Sequence, residues 1–163
     1  RLVGSEMCIR DRYWIDRGIE DYPRAASTDG YIYFHEIGQD DGSTNPYSPI
    51  YAYIESGPVE IQQGDQFGFA WRMIPDVDFR NSSAANPTVD FVLKAQDYSG
   101  SNFSQTQDNN TTLTATVPVA QFTEQTYFRI RGRMLTLKLQ STALGVAWRL
   151  GVPRIDIRPD GRR

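Results

Sequence analysis

Residues 126–163 read TYFRIRGRMLTLKLQSTALGVAWRLGVPRIDIRPDGRR, and their pattern decides the fold class. Phe128 and Ile130 alternate with Arg129 and Arg131, and Leu135, Leu137 and Leu139 alternate with Thr136, Lys138 and Gln140. A period of two puts successive side chains on opposite faces, which is the pattern of a strand with one face buried. Gly132 separates these two runs and residues 141–145 make the next break. Beyond it Trp148, Leu150, Val152, Ile155 and Ile157 carry the apolar face onward.

The same stretch concentrates positive charge. From residue 129 onward there are nine Lys or Arg and two acids, a balance of +7; the whole chain is −3, so residues 1–128 carry −10. Two such halves attract one another between copies as readily as within one. The arginines either solvate the outer face of a sheet or form a basic face for an acidic subunit surface or a nucleic-acid backbone. The candidates for subunit or phosphate contact are Arg129, Arg131, Arg133, Arg154, Arg158, Arg162 and Arg163. No aromatic-and-basic RNA-binding motif accompanies them, so sequence-specific recognition is not expected.

Upstream, alternation recurs in short runs. Residues 31–37 (YIYFHEI), 50–55 (IYAYIE), 59–62, 67–74 (FGFAWRMI), 88–98 (TVDFVLKAQDY) and 113–119 read as strands, and the segments between them are rich in Gly, Pro, Ser, Asn and Asp. In 67–74 the period places Phe67, Phe69, Trp71 and Met73 on one face, and this run is expected to be the centre of the core, at about 1.5–3 kcal/mol for each fully buried side chain. In 88–98 Val89, Phe91, Leu93 and Ala95 are expected inward. No segment sustains a helical period. The fold class expected is all-β: an antiparallel β-sandwich of jelly-roll kind with eight to nine strands.

With 163 residues, one domain is the simplest expectation, large enough for a core without metal or disulfide. Cys8 is the only cysteine and His35 the only histidine, which excludes an internal disulfide and a zinc site of the Cys/His kind. No apolar run reaches membrane-spanning length, so no membrane partner is expected. Residues 1–12, RLVGSEMCIRDR, have no period and resemble translated sequencing adapter; they are expected to be a non-native leader heading a C-terminal fragment of a longer protein. Residues 13–30 read as a connector and 31–163 as the single sandwich domain.

Candidate chemistry is sparse. Asp40 and Asp41 ahead of Gly42 lack EF-hand spacing and read as a solvated turn. Asp76 and Asp78 lie in a loop with no third group to make them an acid–base pair. His35 has no Ser or Cys motif beside it. Acceptor patterns for N-glycosylation at Asn81, Asn102, Asn109 and Asn110 follow from Ser- and Thr-rich loops. No phosphate-binding glycine loop and no nucleophile elbow occur. These readings point away from an enzyme, and no cofactor and no metal are expected.

The phrases YIYFHEIG, YIESGPVEIQQGDQF, RGRMLTLKL and AWRLGVPRIDIRPDGRR resemble the C-terminal region of tail-nozzle or tail-tubular proteins of short-tailed bacteriophages, also called packaged-DNA stabilisation proteins. The resemblance spans Tyr31 to Arg163. It implies a non-enzymatic virion protein that meets copies of itself in a ring, contacts other tail proteins, helps close the channel on packaged DNA and touches that DNA without sequence preference. Acidic and basic faces would alternate around such a ring, which is then expected to loosen with salt. The alternative is a carbohydrate-binding β-sandwich, for which Tyr47, Tyr51 and Tyr53 would supply an aromatic surface. A glycosidase would need two carboxylates at a defined separation, and the sequence offers no way to pair them.

Overall fold

The computed structural model describes residues 11–16, 22–35, 38–40, 47–61, 65–97 and 114–161. Among them the protein is all-β, with no helix, and the pairings β1-β2, β2-β3, β10-β6, β6-β13, β5-β11, β11-β8, β8-β9 and β7-β12 are antiparallel. Thirteen strands occur among the described residues: β1 (Asp11–Ile15), β2 (Arg24–Ser27), β3 (Ile32–Phe34), β4 (Ala52–Glu55), β5 (Val59–Glu60), β6 (Gly68–Ile74), β7 (Val77–Asp78), β8 (Thr88–Gln96), β9 (Thr114–Ala120), β10 (Thr126–Gly132), β11 (Met134–Ser141), β12 (Arg149–Leu150) and β13 (Arg154–Pro159). By contacts they divide into two compact units, Arg1–Ala52 with Thr142–Gly145, and Tyr53–Ser141 with Val146–Arg163.

The first unit holds the sheet β1-β2-β3. Its strands lie where the sequence shows no period, at 11–15 and 24–27, and β3 takes only three residues of the 31–37 run. Register makes its two faces unequal. Tyr13, Ala26 and Ile32 form one cross-strand row and Ile15, Arg24 and Phe34 another, both on one face; Trp14, Ala25 and Tyr33 lie on the other. On that second face Ala25 is buried, and the ring of His35, also buried, sits 4.7 Å from that of Trp14.

The second unit contains two larger sheets, β10-β6-β13 and β4-β11-β8-β9, with β5 added to β11, and the small pair β7-β12. The long strands follow their sequence pattern closely. Val89, Phe91, Leu93 and Ala95 of β8 are all buried, as are Leu135 and Leu139 of β11 and Phe128 and Ile130 of β10. The core cluster draws on both large sheets: Ala70, Met73, Phe128 and Ile130 from one, and Val89, Phe91, Leu93, Ala95, Val119, Leu135 and Leu139 from the other.

β6 departs from its expected pattern. Its core residues are Ala70 and Met73, both fully buried, while Phe69 is half-buried and Trp71 exposed. The cause is irregular pairing on both sides. Asp156 and Ile157 of β13 are consecutive yet pair with Arg72 and Ala70, so Trp71 is an extra residue on β6; on the other side β10 steps from Tyr127 to Ile130 over the same interval. An extra residue inverts the inward–outward alternation from that point on. The large rings of β6 therefore leave the core, and a small alanine with a methionine fills it.

The segment between β6 and β8 is also more ordered than a loop. Asp76 Oδ2 accepts the Val152 N–H at 2.8 Å, the Asp76 carbonyl accepts the Gly151 N–H at 2.8 Å, and β7 pairs with β12 next to this clasp. Ser82 Oγ donates to the Ala147 carbonyl at 2.7 Å and accepts its N–H at 3.0 Å. The Asp76 carboxylate, read from sequence as a loop residue with no catalytic partner, is committed to holding two distant stretches of chain together.

Candidate functional site

Because one face of β10-β6-β13 supplies the core, its other face presents what the strands alternate outward. β10 contributes Tyr127, Arg129 and Arg131, all exposed, opposite the buried Thr126, Phe128 and Ile130. β6 contributes Phe69, Trp71 and Arg72, and β13 contributes Arg154, Asp156 and Arg158. Cross-strand rows order them: Tyr127–Arg72–Asp156, and Arg131–Phe69–Arg158.

Aromatic and cationic groups interleave on this surface. The rings of Trp71 and Tyr127 stack at 6.2 Å between centroids and 27° between planes. Trp71 is 37% and Tyr127 61% exposed, so their outer ring surfaces meet solvent. The Arg72 guanidinium lies 5.1 Å from the Trp71 ring and that of Arg158 4.8 Å from the Phe69 ring, within cation–π range. Phe69, Trp71, Tyr127, Phe128, Arg129 and Arg158 line an open groove of about 730 Å³.

The charges divide into two groups. Arg72 pairs with Asp156 and Arg131 with Asp160, whose carbonyl also accepts from Arg131 at 3.1 Å. Among the described residues Arg129, Arg154 and Arg158 form no ion pair. This face therefore brings together four of the seven arginines singled out from sequence, Arg129, Arg131, Arg154 and Arg158. Arg133 is apart from them: it is half-buried between β10 and β11, donates its backbone N–H to Gln96 at 2.9 Å and sits 4.9 Å from the Phe67 ring. Arg162 and Arg163 lie outside the described residues.

The tyrosines read as an aromatic surface differ in exposure. Tyr47 and Tyr53 are more than half exposed and Tyr51 is half-buried, and the Lys138 ammonium lies 4.9 Å from the Tyr53 ring. The stacked pair Trp71–Tyr127 was not legible in the sequence, since it depends on the bulge that turns Trp71 outward. Tyr127 alone was signalled by its position in the outward series 127, 129, 131.

Other chemistry is local. Asp78 accepts the Arg80 backbone N–H at 3.0 Å and its guanidinium at 2.7 Å, and these contacts, the backbone one foremost, hold its carboxyl below the ordinary carboxylate range. Among the described residues no three His, Cys, Asp or Glu gather closely enough to hold a metal ion. Asp40 makes an isolated bridge to Pro49, while Asp41, Gly42, Asn102, Asn109 and Asn110 lie outside the described residues. Compared with protein-family models and with curated proteins, the chain matches none.

Proposed function

We propose that the protein is a non-enzymatic structural component of a virion tail, of the nozzle or tubular class, whose copies assemble side by side around the tail axis and contact neighbouring tail proteins. The sequence phrases give the class. The observation that carries the assembly role is the bare face of β1-β2-β3, where Tyr13 is 75%, Ile15 64%, Ile32 67% and Phe34 50% exposed on adjoining cross-strand rows. Four large apolar side chains on one face of a three-stranded sheet form a surface that water covers poorly and a protein partner covers well.

Within this reading the two large sheets are the layers of a jelly-roll-like sandwich, and the contact between copies is heterologous, one face of each meeting a different face of the next. The division of charge, −10 before residue 129 and +7 from it onward, adds an electrostatic component to such a contact.

Sedimentation velocity of the 163-residue chain over a range of concentrations tests the proposal. Self-association is expected, and Ile15→Lys with Ile32→Lys on the bare face should abolish it while leaving the melting curve of the larger unit in place. Raising salt should weaken but not abolish it, since the apolar part of the contact is not screened. A chain that stays monomeric at all concentrations, or an assembly indifferent to the double substitution, would sink the idea.

A further inference from the structure

We propose that the outer face of β10-β6-β13 binds single-stranded nucleic acid without sequence preference, stacking bases on Trp71 and Tyr127 and holding phosphates with Arg129 and Arg158. This site lies in the other unit from the assembly face and does not depend on it.

The first argument is what the fold does with its rings. A tryptophan on a central strand has an obvious place in the core, yet the bulge at Trp71 turns it outward and leaves Ala70 and Met73 inside. The ring then stacks on Tyr127 with its outer surface open. Aromatic faces on an open sheet surface are the stacking platform on which unpaired bases lie, and every base has a face to offer.

The second is the state of the arginines. Asp156 and Asp160 are occupied by Arg72 and Arg131, while Arg129 and Arg158 line the groove with no carboxylate partner among the described residues. The groove is therefore positive and calls for an anion.

The third argument selects among anions by hydrogen-bonding type. Among the described residues, the side chains lining the groove offer guanidinium and indole N–H donors, and the Tyr127 hydroxyl is their one polar oxygen, with no carboxylate or amide. A hydroxyl-rich sugar brings as many donors as acceptors and would find almost nothing to accept them. An acidic peptide brings acceptors but few flat rings. A nucleic-acid strand brings phosphate oxygens that only accept, together with bases that need only a surface to stack on. In a duplex those bases are already stacked and paired, so the fit is to a single strand.

The test is fluorescence anisotropy with a labelled oligothymidylate of about 15 nucleotides, within the range one such module covers, titrated with the 163-residue chain at several salt concentrations. Saturable binding that weakens as salt rises is expected. Trp71→Ala and Tyr127→Ala should each weaken it roughly tenfold or more. Arg158→Gln should weaken it and reduce the dependence of log K on log salt by about one. Arg149→Gln, an exposed arginine on β12 away from the groove, should change little, and Trp71→Phe should retain most of the binding with an unaltered melting curve. Four results would each overturn the proposal: no saturable binding at low salt, equal competition by duplex of the same length, no loss in Trp71→Ala while heparin competes fully, or displacement by an uncharged oligosaccharide.

Discussion

Single positions in this protein carry very different loads, and the reason lies in what surrounds each atom. A Cβ placed on Gly132, the last residue of β10, would lie 2.8 Å from the Ala95 Cβ and 3.0 Å from the Gln96 carbonyl oxygen of β8. Backbone cannot yield as a flexible side chain can, so Gly132→Ala should lower the unfolding free energy by about 1–3 kcal/mol in urea titration. Thr136 is the opposite case. It is 2% exposed, and its Oγ1 has no hydrogen-bond partner among the described residues. Replacing an unanswered hydroxyl by a methyl of similar shape removes a desolvation cost, so Thr136→Val should raise stability by about 1 kcal/mol.

Asp78 gives a pH-dependent prediction. Its folded carboxyl is held below the ordinary 3.8 by the Arg80 backbone N–H and then by the Arg80 side chain. A depressed acid stabilises the fold above its unfolded value, and this contribution fades as pH falls through the folded one. Wild type and Asp78→Asn should therefore differ in denaturant midpoint near neutrality and converge in acid below the ordinary carboxylate value. A gap that stays constant across that window would mean the contact is not electrostatic in origin.

At the scale of elements, the question is what fixes each strand's place. β8 and β11 were legible because their core residues are apolar at alternate positions and their pairing is regular through the long β8–β11 and β8–β9 ladders, and β10 keeps its alternation although its pairing with β6 steps between Tyr127 and Ile130. The run 67–74 was misread in part: Phe67 and Met73 are buried as expected, but Phe69 and Trp71 are not, because alternation in a sequence assumes uninterrupted pairing and the bulge at Trp71 is set by β13 and β10, more than fifty residues away. The same limit hid β7 and β12. Each is two residues long, too short for any period, and they meet beside Asp76, whose carboxylate and carbonyl hold Val152 and Gly151. Asp76→Ala should cost about 1 kcal/mol and speed hydrogen exchange at Val152 first, whereas Asp76→Asn keeps an acceptor and should do less. The outward arginines of β10 could be read from the pattern; their grouping with Arg158 and with the rings of Trp71 and Tyr127 required the sheet.

For the whole molecule, the described residues of the two units differ in how much of their surface they bury. The larger has a continuous core of aliphatic and aromatic side chains, whereas in the sheet β1-β2-β3 Ala25 is the buried apolar residue and most of the large rings stay in water. Local opening follows buried apolar contact, so native-state hydrogen exchange should show strong protection at Phe91, Leu93 and Leu139 and weak protection at Ala25 and Tyr33 in dilute solution. If a neighbouring copy covers the Tyr13–Ile15–Ile32–Phe34 face, binding of the ordered sheet stabilises it by mass action, and protection there must rise with protein concentration while that of the larger core stays constant. Protection of β2 that is high and independent of concentration would show the small sheet to be stable by itself, and its apolar face would then need another explanation than self-assembly.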